Sequence, residues 1–208
     1  MIPYDKIEVD LDAGHASTTP GKCSPDKRLR EYKWNRECVE LIKRGLEQHG
    51  IKVYIVTPEV DKDVALSTRA ARVNARVAAN RKKGINTIMI SVHVNAAGNG
   101  QWMNARGWSA WTTKGKTNSD KLAECLYDGA VEFLEKPYGM KIRTDKSDGD
   151  RDYESNFTVI FKSNCPAVLT ENFFMDNKED CEFLLSDYGK QACANAHVKG
   201  ILNWCKYN

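Results

Sequence analysis

Two histidines and a glutamate stand where runs of apolar residues stop. His15 follows the alternation Ile7, Val9, Leu11 through the turn Asp12-Ala13-Gly14. His93 closes the apolar run Ile85–Val92, and Glu171 closes Ala167-Val168-Leu169-Thr170. In a parallel α/β sheet the carboxyl ends of the strands gather in one crevice, so residues distant in sequence can meet there. Two His and one Glu with an open fourth position form the ligand set of a catalytic zinc site. Such an ion lowers the pKa of its water to about 7 and polarises a carbonyl. A further carboxylate is then needed as general base, to take the proton from water and hand it to a leaving amine. Spacing does not decide which Glu is the third ligand. Glu31, in the first turn of the first helix, is one candidate, and Glu37 and Glu40 lie further along. Glu31 is best placed, because the Gly14–Arg30 loop returns the chain beside the first strand end.

The elements that must hold these residues alternate along the chain. Strands are expected at Ile7–Leu11, Ile51–Thr57 and Ile85–Val92, and again at Gly107–Thr112, Phe157–Phe161 and Ala167–Glu171. Helical spacing runs over Glu31–His49, where Gly50 stops it, then from Leu66 to near Gly84, and from Leu122 to Leu134 ahead of Pro137. Two more helices are expected over Asn177–Leu185 and Tyr188–Cys205, with Asp176 and Glu179 spaced as a capping box. The charged, Gly-containing stretch Asp145–Asp152 reads as a mobile loop. No internal repeat or low-complexity linker interrupts this order. It predicts one α/β domain, residues 1–208, with a mainly parallel central sheet and helices on both faces.

The 208 residues carry 31 basic and 28 acidic side chains, a net charge of +3, with 41% hydrophobic content. That balance argues against disorder, gives no reason to expect a nucleic-acid partner, and contains no run of about 18 apolar residues for a membrane span. No basic segment followed by an apolar one opens the sequence, so no secretory leader is visible. The seven cysteines are scattered without a Cys-x-x-Cys pair, which excludes a zinc ribbon or a thioredoxin-type motif. Cys38, Cys125, Cys193 and Cys205 fall within helical patterns, and all seven are read as reduced residues of a protein made in a cytosol.

Four motifs together resemble the zinc-dependent N-acetylmuramoyl-L-alanine amidases of the amidase-3 type. Asp12-Ala13-Gly14-His15 matches that family's Asp-Pro-Gly-His turn. Glu31-Tyr32-Lys33-Trp34-Asn35 matches its Glu opening a helix with an Asn one turn later. Ser91-Val92-His93-Val94-Asn95 matches its Ser-x-His-x-Asn strand end, and Pro166–Glu171 with Phe173 and Asn177 matches its last strand. The match spans about residues 5 to 204, in order. The resemblance implies one Zn²⁺ held by His15, Glu31 and His93, with Glu171 as catalytic carboxylate. It implies hydrolysis of the amide between N-acetylmuramic acid and the L-alanine of the peptidoglycan stem peptide. Ala13 in place of Pro, and Ala16-Ser17 in place of a Gly pair, are its departures, and neither strikes a ligand. The long Pro20–Arg30 segment is similar to that of phage-type members.

The remaining assignments are plainer. Asn35 and Asn95, with Asn172, are expected to support the site. Trp102, Trp108 and Trp111 read first as core or rim residues, with Trp102 and Trp108 as secondary candidates for stacking on substrate. Arg69, Arg72, Arg76 and Arg81 read as a solvated helix face, and His49 and His197 as ordinary packing histidines. The expected protein is a monomeric bacteriolytic hydrolase with a peptidoglycan substrate and no separate wall-binding domain. It acts on the cell wall after phage-type release or after loss of a secretory leader. A zinc peptidase cutting within the stem, and a peptidoglycan-binding protein without activity, are the alternatives.

Overall fold

Strand β1 (Ile7–Ala13) is buried along its whole length, so both of its faces meet other elements. A computed structural model describes all residues, 1–208. It sets β1 beside β2 (Lys52–Ile55), β3 (Asn86–Asn95), β6 (Ala167–Phe174), β4 (Ser109–Thr112) and β5 (Tyr153–Glu154) in one six-stranded sheet of order β2-β1-β3-β6-β4-β5. Every pairing is parallel except β4 with β6. The chain leaves β1 for β2 on one side and returns to β3 on the other. That reversal opens a crevice at the carboxyl ends of β1 and β3.

Helices cover both faces. On one side lie α1 (Glu31–Gln48), α3 (Asn118–Ala130) and α7 (Asp187–Tyr207). They close over Ile7, Val9, Leu11, Ile88, Ile90, Val92 and Val168, within a cluster of 38 buried residues. The other side carries α2 (Leu66–Arg81) and the short α5 (Thr158–Phe161) over a cluster of eight, including Val73, Met89, Ile160 and Leu169. Beyond α3 the chain passes through a π turn at Val131–Glu135 into α4 (Lys136–Tyr138). Helix α6 (Lys178–Leu185) follows β6. No helix is long and apolar enough to cross a membrane.

Several expectations are corrected. Phe157–Phe161 is not a strand: Thr158–Phe161 forms α5, whose Val159 and Ile160 enter the smaller core while Phe161 stays exposed. Four apolar residues read alike in a strand or one helical turn, and length alone did not separate them. Asp176 does not cap α6. Asn177 does, its side chain accepting from Asp180 N, and the capping box lies instead at Thr117 and Asp120 before α3. The Asp145–Asp152 loop is tied at its base: Asp145 N donates to Arg151 O at 3.1 Å, Arg151 pairs with Glu124 and Asp128, and buried Asp152 accepts from Thr112 Oγ1 at 2.5 Å.

The arginine series on α2 is the largest departure. Arg69 is 2% exposed and its guanidinium bonds Asp12. Arg72 holds Glu59, and Arg76 holds Glu8. Only Arg81 is a free surface group. The alternate residues Glu8, Asp10 and Asp12 of β1 are all buried, and buried carboxylates need charged or polar partners. The cysteines are all free, five buried and Cys23 and Cys165 half-buried.

Candidate active site

His15, Glu31 and His93 reach one point from three elements. The first comes from the turn after β1, where His15 adopts a left-handed backbone at φ +61°. Such backbone is uncommon for a residue with a Cβ and persists only where its surroundings hold it. Beneath the turn, Asp12 accepts from Arg69, from Ser91 Oγ at 2.7 Å and from Thr57 Oγ1 at 3.1 Å, while Thr57 Oγ1 in turn accepts from Ala13 N. Gly14 has a second reason to lack a side chain, because a Cβ there would run into the His93 imidazole.

Glu31 opens α1 and is buried at 1% exposure. Its Oε1 accepts from Val94 N at 3.1 Å and lies 3.1 Å from His93 Nδ1 and 3.5 Å from His15 Nε2. The two imidazoles meet edge to face, centroids 5.1 Å apart. One donor atom from each residue lies within 4.8 Å of the others. The second carboxylate oxygen, Oε2, is buried and has no partner. Glu37 and Glu40 turn elsewhere, to Lys190 of α7 and Arg44 of α1. Two imidazoles, one carboxylate and an unpartnered buried oxygen are what a bound divalent cation satisfies.

The electrostatics agree with that use. Burial holds the His15 imidazole down, to a pKa of about 4, against the pull of Glu31, so it is neutral at pH 7. Burial alone would lower His93, but the Glu31 hydrogen bond and charge outweigh it and keep it above the ordinary histidine value. Burial likewise works to raise Glu31, and the His93 bond, both imidazoles and the Val94 N–H hold it low. A cation in the cluster would take over the role of the proton that Glu31 favours on His93.

Glu171 stands in register with His93 across β3 and β6. Between His93 and Asn95 the pairing shifts: Asn95 lies opposite Phe174, so β6 carries one residue more. Phe173 absorbs the bulge at φ +65° and is buried against Phe183. A bulge beside a site re-aims the side chains that follow it. Burial raises the Glu171 carboxyl to about 7, with the Glu31 charge adding to the effect and His93 opposing it; its Oε2 is buried without a partner. An acid near pH 7 can both take and return a proton.

The supporting residues divide. Asn35 is buried and its amide donates to Gly14 O at 3.1 Å and, more weakly, to Glu31 Oε1 at 3.5 Å, tying turn to helix. Asn172 donates to His93 O at 3.0 Å and to Thr170 Oγ1 at 3.3 Å, and accepts from Trp108 Nε1 at 3.0 Å. Trp108 is 1% exposed, so it cannot stack on substrate; its indole N–H anchors Asn172 instead. Asn95 spends its side-chain oxygen on Ala96 N and does not reach the cluster. Trp102 is half-buried beneath Lys178.

Thr170 and His197 were not foreseen here. Cys193 O can only accept, so the 2.7 Å bond fixes the proton on His197 Nδ1 and leaves Nε2 to accept from Thr170 Oγ1 at 2.9 Å. His197 thus ends a buried chain of bonds that runs through Thr170 and Asn172 to the backbone of His93, and burial keeps it neutral, near pKa 4. Nothing at single residues in the sequence marks this. The signal available was a polar Thr-Glu-Asn run inside an otherwise apolar strand.

Compared with known proteins, residues 9–203 match the family model described as N-acetylmuramoyl-L-alanine amidase. The chain belongs to that amidase family. Among curated relatives of this amidase domain, the endolysin of Bacillus phage SPP1 is 27% identical over 191 residues, 92% of this chain and 63% of the endolysin. The N-acetylmuramoyl-L-alanine amidase CwlM of Bacillus licheniformis is 26% identical over 199 residues, covering 94% of this chain and 67% of that protein. The amidase fold itself matches a crystal structure of an N-acetylmuramoyl-L-alanine amidase from Clostridium difficile 630. The TM-score is 0.80 at 22% identity, over 97% of this chain and 98% of that one.

Proposed function

We propose that this member of the amidase family is a zinc-dependent hydrolase of the amide between N-acetylmuramic acid and L-alanine in peptidoglycan. The observation that carries the reading is the His15–Glu31–His93 cluster, built on buried Glu31 with its unpartnered oxygen, in strand register with a carboxyl poised near pH 7. A zinc ion held by these three residues would supply Lewis-acid polarisation of the amide carbonyl and acidify water at the site. Glu171 takes the proton from the attacking water and delivers it to the departing alanine nitrogen. The Val94 N–H and Asn35 hold Glu31 in place, and Asn172 holds the backbone of His93. The left-handed His15 backbone and Gly14 keep the two imidazoles in contact.

The substrate follows from the family, and its relation to the SPP1 endolysin supports action on a bacterial wall. We read residues 1–208 as one catalytic domain that works as a monomer, reaching the wall by phage-type release or as a secreted enzyme. Digestion of purified peptidoglycan with and without a chelator, followed by mass analysis, tests the reading. The expected result is chelator-sensitive release of whole stem peptides that begin with L-alanine. Cleavage inside the stem would make it a zinc peptidase, and no release from zinc-loaded protein would make it a binding protein.

A further inference from the structure

Eleven arginines occur in the chain. Eight spend their guanidinium groups on carboxylates or backbone carbonyls. Arg30, Arg81 and Arg143 form no ion pair or hydrogen bond through theirs. The first two are exposed, whereas Arg143 is half-buried. Its guanidinium carbon lies 5.1 Å from the Phe174 ring centre and 5.4 Å from that of Tyr153. Two rings held against a guanidinium orient it and strip part of its water. Its five N–H donors are left without a protein acceptor.

The position relates to the site through the sheet. Ser109 of β4 lies opposite Glu171 of β6. On the other side of β4, Trp108 bridges Ile142 in parallel and Arg143 N donates to Trp108 O at 2.8 Å, which sets Arg143 beside Ser109. Glu171, Ser109 and Arg143 therefore form one row, about 10 Å long at two strand spacings. Phe174, under the guanidinium, is itself the residue opposite Asn95, next beyond His93 on that face. Gly107 (φ +113°) leaves room for the Arg143 stem, since a Cβ there would meet Arg143 Cγ at 2.9 Å. Beside this row, Trp111, two residues along β4 from Ser109, stacks on its β5 neighbour Tyr153 at 4.8 Å, with Phe157 edge-on at 5.6 Å.

We propose that Arg143 is a specificity residue that binds a free carboxylate on the peptide half of the substrate, two or three residues beyond the cleaved amide. This rests on the amidase reading above. An extended peptide advances about 3.3–3.6 Å per residue, so one leaving the Glu171 end spans the row in about three residues. A planar guanidinium fixed by aromatic rings binds a carboxylate through two parallel hydrogen bonds, and an amide in its place loses both the charge and one acceptor. The aromatic pair Trp111 and Tyr153 flanks this path along β4 and β5.

The test uses zinc-loaded full chain and four synthetic muramyl tripeptides, with the side carboxylate of the second or of the third residue either free or amidated. Wild type is expected to cleave all four, with kcat/KM lower by about tenfold or more when the recognised carboxylate is amidated, mainly through KM. The pair that discriminates identifies which residue carries it. Arg143→Met should lose that discrimination, leaving a ratio near one, and Arg143→Lys should keep part of it. The ratio is internal to each protein, so a poorly folded fraction does not alter it. Equal cleavage of all four by wild type, or an Arg143→Met ratio equal to wild type, overturns the proposal while leaving the amidase reading intact. Failure of wild type to cleave any of them overturns the amidase reading and this proposal with it.

Discussion

On the side of the sheet covered by α1, α3 and α7, β1 contributes Ile7, Val9, Leu11 and Ala13 to a cluster of 38 buried residues. On the side covered by α2 the same strand contributes Glu8, Asp10 and Asp12, and the continuous apolar packing shrinks to eight residues. Apolar burial is non-directional and scales with area, so the first face is held by many interchangeable contacts. A buried carboxylate is stable only with particular donors at particular places. Arg76 and Asn80 are those donors for Glu8, and Arg69, Ser91 and Thr57 for Asp12. Asp12, at the upper end of the charged face, supports the turn that carries His15, and His93 and Glu171 leave the sheet on that same face. The apolar face supplies bulk stability, and the charged face fixes positions.

Breaking the charged face at its upper end should give the largest effect. Glu171→Gln is expected to lower turnover by about 10²–10⁴-fold with bound zinc unchanged by elemental analysis; unaltered turnover would remove Glu171 from proton transfer. Arg69→Met leaves Asp12 buried without its cation and should cost about 3–5 kcal/mol in denaturant unfolding. A loss below about 1 kcal/mol would mean that this pair behaves like a surface one. Asp10 sharpens the comparison, because both of its oxygens lack partners and burial pushes its carboxyl up to about 8, the Glu8 charge adding and Arg76 opposing. Folded protein then keeps a proton that unfolded chain releases. Wild-type stability should fall relative to Asp10→Asn as pH rises from the ordinary carboxylate range to about 8, by up to about 1.4 kcal/mol per pH unit. Parallel stability-versus-pH curves for the two proteins would refute this.

Two smaller effects complete the contrast. Gly14→Ala should push the His93 ring and weaken zinc binding about tenfold or more in a chelator competition, with little change in unfolding. On the apolar face, Ile90→Val should cost only about 0.5–1.5 kcal/mol and leave zinc affinity untouched. A zinc effect from Ile90→Val would show that the faces are not independent.

The same contrast explains what could be read from the sequence. Period-two and period-3.6 patterns report apolar faces, so β1, β3, β6, α1 and α7 were legible within a few residues. His15 and His93 stood out because each closes a strand, Glu31 was one of three candidates on α1 until the family resemblance singled it out, and the structure brings the three together. Arg69, Arg72 and Arg76 were misread because polar residues at helical spacing normally mark solvent, which is where Arg81 does lie. The partners of Arg69 and Arg76 are acids on a strand whose alternation also resembles an exposed edge, and that of Arg72 is Glu59, beyond the end of β2. Each pattern is ambiguous alone, and only their pairing across the sheet resolves it. Trp108 lies in the core, as its reading as a core or rim residue has it, but its role as donor to Asn172 was not legible, because that acceptor is distant in sequence. The bulge at Phe173 leaves no mark at all, since the left-handed residue there is an aromatic rather than Gly or Asn.

The free thiols turn this asymmetry into a clock. Cys38 and Cys193 lie fully buried where α1 meets α7, and burial holds both thiols far above their ordinary pKa, so neither reacts while the fold is closed. Half-buried Cys165 lies on the α2 side, against the smaller cluster. A thiol-reactive dye in the native protein therefore reads two openings separately. Modification at Cys165 times the parting of the charged face, and modification at Cys38 times the loss of the main core. The gap between the two rates measures how far the layer beneath the catalytic crevice can loosen before the rest of the domain gives way.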